Sequence, residues 1–456
     1  MNAGTAPRPY PTVTDRCLVA VYLIGVYLGI SASLPGGVPI PAVMAGAAGL
    51  LLLARHSAEI TMPQTIGLAM ILTVAVLSIL SAPDLDLTRE RFKGLVQFFY
   101  SIVIGFGFYL AARRFTAHAF ARWCLVLSTM VLAIAALETL VPQFRTFSDA
   151  FRSWAFDFGV YTADIRDQML YGQVRPKGLT SEPSYASFGF LLFSFAWYVL
   201  SPARLKTLLY GGYLGIGYLI LNAPTILLGA PLMGIYIVTL GARYGPLGHR
   251  RLDIVRVFGG ILFGTLLAAV AIFVGFEVLD QRIAQIAEGR DPSFFARMIA
   301  PPLVALRVIV EHPIAGAGLA GWEYISNIVN QLYQTSRFLT LDYRFESAAH
   351  AITNYFWLHW IFLGLLFGIL MIAALTWHLR AIGVQSIAFC WGVWVVFGQG
   401  AGGYVDPRTW TVFIMAALIS VLHERASAPV NAPAPAAWFD RIPRPARPVD
   451  RSFNPG

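Results

Sequence analysis

Long apolar segments recur along the chain, and short polar connections separate most of them. Their lengths of about 17 to 25 residues match the thickness of bilayer hydrocarbon. Each segment is continuously apolar, whereas the strands of a membrane barrel are segments of about ten residues with alternating polarity. The pattern therefore predicts an all-α polytopic fold of about twelve spans. The predicted spans are 17–33, 38–54, 65–81, 94–112, 123–141, 184–201, 207–223, 225–241, 257–276, 351–375, 383–399 and 409–423.

The composition agrees with a membrane protein. Of the 456 residues 57% are hydrophobic and 12% are charged, and the mean hydropathy is +0.65, which excludes an ordinary soluble domain. The formal net charge of +9 does not indicate a nucleic-acid partner, because the cations are spread over loops whose cytoplasmic side would meet anionic lipid headgroups. We therefore expect the lipid bilayer as a partner and no nucleic acid.

The distribution of Lys and Arg predicts the orientation, since short cytoplasmic loops carry an excess of cations. With the N-terminus inside, the short inner connections hold eleven cations and the short outer connections hold four. We therefore predict a cytoplasmic segment 1–16, a membrane domain 17–424, and both termini in the cytoplasm. Alternatively, the first apolar run could be a signal peptide with a cleavage site near residues 31–33.

Two outer connections, 142–183 and 277–350, are much longer than the others. Loops of more than about 15 residues without structure are uncommon unless they are functional, so we expect short helices and the chemistry on this face. Residues 293–310 predict a helical stretch, interrupted by two prolines, that lies along the interface or re-enters between spans. The composition of 425–456, rich in Pro, Ala and Arg, predicts a disordered cytoplasmic tail.

The segment RPKGLTSEPS, residues 175–184, places charged side chains where a long polar loop meets an apolar helix. Pro183 is favoured at the first position of a helix, whose N-terminus presents unpaired N–H groups to an anion. With Arg175 and Lys177, this helix end predicts a site for phosphate or pyrophosphate. Glu182 would orient Arg175 or a sugar hydroxyl. Alternatively, Glu182 only caps the helix and pairs with Arg175.

A second cluster begins at Arg297 and continues to the segment EHPIAGAG, in which Pro313 and glycines end a helix in a tight turn. Arg297 is a second candidate ligand for an anion, or else a solvated loop cation. Gly316, Gly318 and Gly321 form a GxGxxG pattern. A dinucleotide site needs a preceding strand in a βαβ unit, so we reject nucleotide binding here.

His350 stands at the predicted start of the tenth span. If Ser347 caps that helix, His350 lies in the first turn, where the helix dipole keeps the imidazole neutral and able to accept a proton. Asn354 would lie one turn further on the same face and hold the ring or a substrate. The simpler interpretation of a lone histidine at a span boundary is an interfacial residue.

Other polar residues give weaker signals. Asp84 and Asp86 form a DxD pattern that holds a divalent metal in many glycosyltransferases, although two acids in a polar loop are usually only solvated. The three cysteines fall within predicted spans, so they form neither a disulfide framework nor a zinc site. We therefore predict no metal and no cofactor. Glu138 lies inside the fifth span and should face a cavity or a partner.

Taken in order, these motifs resemble the bacterial O-antigen polymerase and O-antigen ligase superfamily over about residues 95–420. The resemblance rests on Arg175-x-x-Gly178-x-x-x-Glu182-Pro183-Ser184, on Arg297 followed by residues 311–318, and on His350 opening a span that contains Leu363-Gly364-Leu365-Leu366. It implies a metal-independent, inverting membrane glycosyltransferase with a GT-C-like fold. The implied donor is a saccharide on undecaprenyl pyrophosphate, presented at the periplasmic face of the bacterial inner membrane.

By position, the resemblance implies that Arg175 and Arg297 bind the pyrophosphate and that His350 is the essential histidine. An acceptor hydroxyl must lose a proton while pyrophosphate departs with growing negative charge. A neutral base and two guanidinium groups would meet both needs. The family often has an aromatic residue four positions after the second arginine, where this chain has Pro301, so we expect a bent helix that displaces Arg297.

Residues 182–184 read Glu-Pro-Ser, which is closer to the polymerase branch than to the ligase branch. We therefore predict a polymerase that joins lipid-linked oligosaccharide repeat units into O-antigen or exopolysaccharide, with a flippase and a chain-length regulator as candidate partners. The first alternative is a ligase that transfers the polysaccharide to lipid A core. The others are a polysaccharide flippase or secondary transporter, which would carry charged residues within its spans, and a purely structural membrane protein.

Overall fold

The computed structural model describes residues 10–34, 38–156, 160–162, 164–241, 243–244, 250–251, 284, 288–289, 294–336, 348–400 and 402–427. Its helices are α1 (Val13–Leu28), α2 (Val43–His56), α3 (Met62–Leu80), α4 (Thr88–Ala112), α5 (Ala117–Leu140), α6 (Pro142–Ala155), α7 (Asp164–Tyr171), α8 (Pro183–Leu200), α9 (Lys206–Leu221), α10 (Gly229–Thr239), α11 (Ala300–Glu311), α12 (Trp322–Gln334), α13 (Ala348–Ala351), α14 (Tyr355–Ala381), α15 (Ile387–Gly398) and α16 (Pro407–Ser427). One turn of π-helix, Phe295–Ile299, precedes α11.

The helices cover every predicted span except 257–276, which lies outside the described residues, as does most of the predicted tail 425–456. Within the described residues, five helical segments are long and apolar enough to cross a membrane by length and composition. They are Met62–Leu80, Leu85–Ala112, Ala117–Leu140, Pro183–Leu200 and Tyr355–Ala381. The predicted helical, membrane-type fold is therefore confirmed at this level, and the count of twelve spans stays a prediction.

Local sequence signals explain several helix starts. At α1 and α3 a threonine and the residue three positions later form reciprocal capping boxes, Thr12 with Asp15 and Thr61 with Gln64. Thr116 caps α5 by accepting a hydrogen bond from the Ala119 N–H at 3.2 Å. Each cap satisfies N–H groups that the first helical turn would otherwise leave unpaired.

Contacts between distant segments define two ends of the helical bundle. One end, which we call the loop-rich end, gathers the connections around residues 29–42, 81–88, 138–183, 313–322 and 399–408. Examples of these contacts are the hydrogen bonds from Gln97 to Pro39 O, from Ser101 to Val405 O and from Tyr27 to Gly178 O. At the opposite end, Arg113 pairs with Glu59 and Tyr109 donates to Ile382 O.

Helix α14 is broken at Gly364, whose φ of 62° and ψ of −165° are not helical. In a straight helix residues 359 and 368 would be about 13.5 Å apart along the axis. Instead, His359 Nε2 lies 3.1 Å from Gly368 O. The chain therefore folds back at Gly364, and α14 consists of a short first arm and a longer second arm.

The turn that follows α11 fills this break. The N–H groups of residues 365 and 366 donate to Pro313 O at 2.8 and 3.2 Å, and Ala317 N donates to Ile361 O at 2.8 Å. Gly316 has a φ of 58°, and a Cβ there would lie 2.4 Å from Ile361 O. Gly316 and Gly321 thus allow close approach of backbone atoms, and Gly318 makes room for the side chains of Arg91 and Ala82.

Helix α15 is too short to cross a bilayer. It has twelve residues and a length of about 18 Å, against about 30 Å of hydrocarbon. Helix α10, which continues the 3-10 turn Pro224–Leu228, packs against α15. The two helices meet at the loop-rich side, where Gly400 lies beside Thr225 and Leu228. We call this part of the loop-rich end, around Gly400, Gln399 and Asn354, the recess.

Two details differ from the sequence predictions. Within the described residues two short hairpins occur, Ala32–Leu34 with Val38–Ile40 and Arg243–Tyr244 with Arg250–Arg251, and the first occupies the predicted boundary of two spans. Helix α4 begins at Thr88, six residues before the predicted start. The long connection 142–183 contains the short helices α6 and α7, which the sequence analysis predicted for this segment.

Candidate functional site

Asn354 is fully buried beside the end of α15. Its Nδ2 donates to Arg297 O and to Gln399 Oε1, both at 3.0 Å, and its Oδ1 accepts from Trp357 N at 3.3 Å. Asparagine is a preferred N-cap residue, and here it caps α14. Asn354 therefore joins the π turn, the first arm of α14 and the end of the short helix α15.

This arrangement corrects the predicted position of His350. We expected His350 in the first turn of the tenth span with Asn354 one turn further on. The structure places His350 in the four-residue helix α13, and a new helix begins after the Asn354 cap. The dipole argument for a neutral imidazole in a long helix therefore does not apply. The His350 side chain lies outside the described part of the structure.

Arg297 lies in the π turn Phe295–Ile299 and is half-buried. Such turns are rare in proteins and are frequent at functional sites. Pro301 stands in the first turn of α11, directly after the π turn. The predicted irregularity near Pro301 is thus present, and Asn354 fixes it by binding the backbone carbonyl of Arg297.

Glu182 marks the N-terminus of α8, where Pro183 occupies the first turn as predicted. The Glu182 side chain forms no capping bond to the helix backbone and instead accepts a hydrogen bond from Ser184 Oγ at 2.8 Å. Tyr185, in the first turn of the helix, lies within electrostatic range of Glu182, Asp406 and Arg297. Two predicted site residues, Glu182 and Arg297, are thus in the neighbourhood of the same tyrosine.

Arg408 contacts Tyr185 directly, and the sequence analysis counted it only among the cations of the short outer connections. Its guanidinium carbon lies 3.8 Å from the centre of the Tyr185 ring, and the residue is 8% exposed. A cation–π contact that is shielded from water contributes about 2 kcal/mol. Arg408 also donates to Val26 O and Leu28 O, each at 3.1 Å, which satisfies carbonyls at the end of α1.

Glu138 organises the loop that carries Arg175 and Lys177. One carboxylate oxygen accepts from the backbone N–H groups of Lys177 at 2.9 Å and Gly178 at 2.6 Å. The other oxygen accepts from Ser148 Oγ and from the guanidinium of Arg152. Glu138 is 5% exposed. The charge that the sequence analysis could not assign is therefore an anchor for this loop.

Arg175 and Lys177 have acidic and aromatic neighbours in the same loop region. Arg175 Nε donates to Asp167 at 3.0 Å, and its Nη2 donates to Tyr161 Oη at 3.1 Å. Lys177 Nζ lies 3.1 Å from Asp164. Burial raises the pKa of Tyr161 to about 12, although the Arg175 charge opposes this shift. The Tyr161 hydroxyl therefore stays protonated at neutral pH and donates to Asp167.

The predicted site residues thus fall into three groups. Arg297 and Asn354 are in contact at the recess, and Glu182 lies beside Tyr185 in the neighbourhood of Arg297. Arg175 and Lys177 form a separate group, joined to the helix start through the bond from Tyr161 N to Ser181 O at 3.0 Å. The third group, formed by Gly316 and Gly318, packs between α14 and α4, where the buried Arg91 donates to Ala317 O at 3.1 Å.

Sequence reasoning missed Tyr185, Arg408 and Gln399. Signals for two of them were present: Asp406-Pro407-Arg408 opens a helix with a buried cation, and Gln399 is a polar residue at the end of an apolar run. Neither signal identifies its contact partner, because Arg408 and Tyr185 are more than 200 positions apart.

Within the described residues, no group of three or more His, Cys, Asp or Glu side chains could hold a metal ion. Cys17, Cys124 and Cys390 are free thiols in different helices. Asp84 has a positive φ of 58° at the start of a single 3-10 turn that contains Asp86. The polar groups near Tyr185 and Asn354 are guanidinium, carboxylate, phenol and amide groups. Such groups can bind an anion and a hydroxyl group by hydrogen bonds.

Comparison of the chain with protein-family models, with curated proteins and with solved structures gives no match. Function is therefore inferred from this geometry and from the sequence motifs.

Proposed function

We propose that this protein is a membrane glycosyltransferase that joins undecaprenyl-pyrophosphate-linked oligosaccharide repeat units at the loop-rich end, which would face the periplasm. The observation that carries the proposal is the contact of Arg408 with Tyr185 at the start of α8, near the charges of Glu182, Asp406 and Arg297 and beside α15, which is too short to cross a bilayer. Polar groups and broken helices at membrane depth are tolerated mainly where they border a cavity or pathway.

The chemistry of this cluster fits the departure of a pyrophosphate. Guanidinium groups bind phosphate oxygens in a bidentate manner and are more effective in a site that excludes water. Glu182, at the start of α8, would orient a sugar hydroxyl or an arginine, as the sequence motif predicts. Because the donor is already activated by its pyrophosphate, the reaction would need neither a nucleotide nor a metal.

The resemblance to O-antigen polymerases and ligases supports the same reaction class. It assigns the base to His350, which lies four positions before Asn354 and therefore close along the chain to the recess. It also assigns pyrophosphate binding to Arg175. We retain both residues as proposed site residues, together with Arg297, whose backbone carbonyl accepts a hydrogen bond from Asn354.

The test is a reconstituted reaction with purified protein and lipid-pyrophosphate-linked repeat units, in the absence of nucleotide and with a metal chelator. We expect a ladder of longer saccharides. Addition of a single unit, or transfer only to lipid A core, would favour the ligase. Movement of the donor across proteoliposomes without new glycosidic bonds would favour a flippase and overturn the proposal.

Variants of single residues test which side chains the reaction needs. Arg297→Ala and His350→Ala should abolish the ladder while the protein remains inserted and monodisperse. Arg89→Ala is the matched control, because Arg89 is an exposed arginine at the same end of the bundle. Equal activity of Arg297→Ala and Arg89→Ala would remove the proposed role of Arg297.

A further inference from the structure

Helix α6 follows the end of α5 after one residue and presents three different faces. Its buried face carries Ser148, Arg152 and Ala155 and packs toward Glu138. At about 100° per residue these three positions lie within one narrow arc of the helix. Two arcs remain, one on either side of this buried face, and one is aromatic while the other is polar.

The first of these arcs is aromatic. Phe144, Phe147, Phe151 and Trp154 recur at spacings of three, four and three residues, which places them on one stripe. The rings of Phe144 and Phe147 contact each other, as do those of Phe151 and Trp154. Phe147 is 57% exposed and Trp154 is 76% exposed. An uncovered stripe of this kind marks a surface that meets an apolar partner.

The second arc is polar and exposed. It carries Thr146, Asp149 and Ser153, and its centre lies about 150° around the helix from the centre of the aromatic stripe. A helix with the protein on one side, aromatic residues on another and polar residues opposite matches a position in the plane of a membrane surface. There, the apolar face enters lipid and the polar face meets water.

We propose that α6 is an interfacial helix whose aromatic stripe inserts into the boundary between lipid headgroups and acyl chains. Three observations select the bilayer as the occupant. The helix starts where the membrane-type helix α5 ends, next to Leu140, which is 78% exposed. The stripe consists of aromatic side chains, which favour the membrane–water interface. The opposite face carries the side chains that require water.

The insertion has a consequence for the loop above the recess. The inner face of α6 supplies Ser148 and Arg152 to one oxygen of Glu138, and the other oxygen holds the N–H groups of Lys177 and Gly178. Lipid contact at the aromatic stripe therefore stabilises the contacts of Ser148 and Arg152 with Glu138. These contacts position the loop that contains Lys177 and Gly178. The inference goes beyond sugar transfer, and its tests do not use enzymatic activity.

The direct test is spin-label depth measurement in proteoliposomes. Single cysteines are placed at Phe147 and Trp154 on the stripe and at Thr146 and Ser153 on the polar face, in a background where the exposed Cys17 is serine. We expect oxygen to relax the first two labels more strongly and a water-soluble nickel complex to relax the other two. Dominant nickel relaxation at all four positions would overturn the proposal.

Hydrogen exchange tests the coupling to the loop. In proteoliposomes, Phe147→Glu should accelerate exchange of the peptide that contains the amides of Lys177 and Gly178. Ser153→Glu is the matched control, since it adds the same charge on the water-facing arc, and it should leave exchange unchanged. Equal exchange in the two variants would show that α6 insertion does not support the loop.

Discussion

At the scale of single residues, buried charges in this protein bind backbone groups far away in the sequence. Glu138 accepts from two N–H groups about 40 positions later, and Arg408 donates to carbonyls at the end of the first helix. A buried charge is tolerated when such contacts replace its lost hydration. These contacts place the 175–178 loop and the Tyr185 cluster at the loop-rich end.

Removal of the Glu138 carboxylate tests this role. Glu138→Ala removes the buried carboxylate that pairs with Arg152 and leaves the half-exposed Asp149 as the remaining ion-pair partner of that guanidinium. It also leaves the N–H groups of Lys177 and Gly178 without their acceptor, so the total cost is about 3–5 kcal/mol of stability. Thermal or denaturant unfolding in detergent measures the loss. Glu90→Ala is the control, because the Glu90–Lys93 pair is partly exposed to solvent and contributes about 0–1 kcal/mol. Similar losses in the two variants would contradict the anchor role of Glu138.

Glu59, at the opposite end, predicts a dependence of stability on pH. Burial raises its pKa, but hydrogen bonds from Arg113 and His56 and the charge of Arg114 more than offset this, so the net pKa is lowered. A lowered pKa in the folded state gives stability that is present above the unfolded value of about 4.3 and is lost as the pH falls through the folded value.

The measurement is the unfolding temperature between about pH 3 and pH 6, for the native protein and for Glu59→Gln. We expect the two curves to converge as the pH falls below about 4.3, because protonation then removes the same charge that the substitution removes. Curves that stay parallel over this range would mean that Glu59 contributes no pH-dependent stability.

At the scale of elements, the turn after α11 supplies hydrogen-bond acceptors to the N–H groups that the break in α14 leaves unpaired. The break frees backbone N–H groups at residues 365 and 366, and carbonyls of the turn accept their hydrogen bonds. Arg91 holds the other side of the turn. The turn therefore replaces hydrogen bonds that a continuous helix would make itself.

Gly316→Ala tests this fit. The new Cβ would lie 2.4 Å from Ile361 O and would force the turn out of the break. Gly383→Ala is the matched control, since Gly383 also has a positive φ, of 96°, but has no atom near the added Cβ. Both variants carry backbone strain of about 1–2 kcal/mol. We expect a clearly larger drop in unfolding temperature for Gly316→Ala, and equal drops would contradict the insertion.

At the scale of the whole molecule, the cation distribution predicts that the loop-rich end faces outward. A membrane-impermeant thiol reagent on intact cells tests this with Asp86→Cys at that end and Arg204→Cys at the other, both at exposed positions. With Cys17 replaced by serine, we expect labelling of Asp86→Cys alone. Labelling of Arg204→Cys in intact cells would reverse the orientation and place the recess in the cytoplasm.

Sequence alone predicted the helical framework because continuous apolar runs carry that information directly. It did not predict the fold-back at Gly364, since a glycine within an apolar run does not reveal that another segment supplies hydrogen bonds there. Asn354 was noticed but placed within a helix, although its type favours the N-cap that it forms. Arg408 was missed as a site residue because its contact with Tyr185 depends entirely on tertiary packing.

The proposed sugar transfer rests on Arg297 acting on a departing pyrophosphate. The most direct measurement is the amount of undecaprenyl pyrophosphate released per glycosidic bond formed from lipid-linked repeat units, by the native protein and by Arg297→Ala. We predict one pyrophosphate lipid released per bond for the native protein, and loss of both products together in the variant. Bond formation that continues at the native rate in Arg297→Ala, or no release by the native protein, would contradict the account.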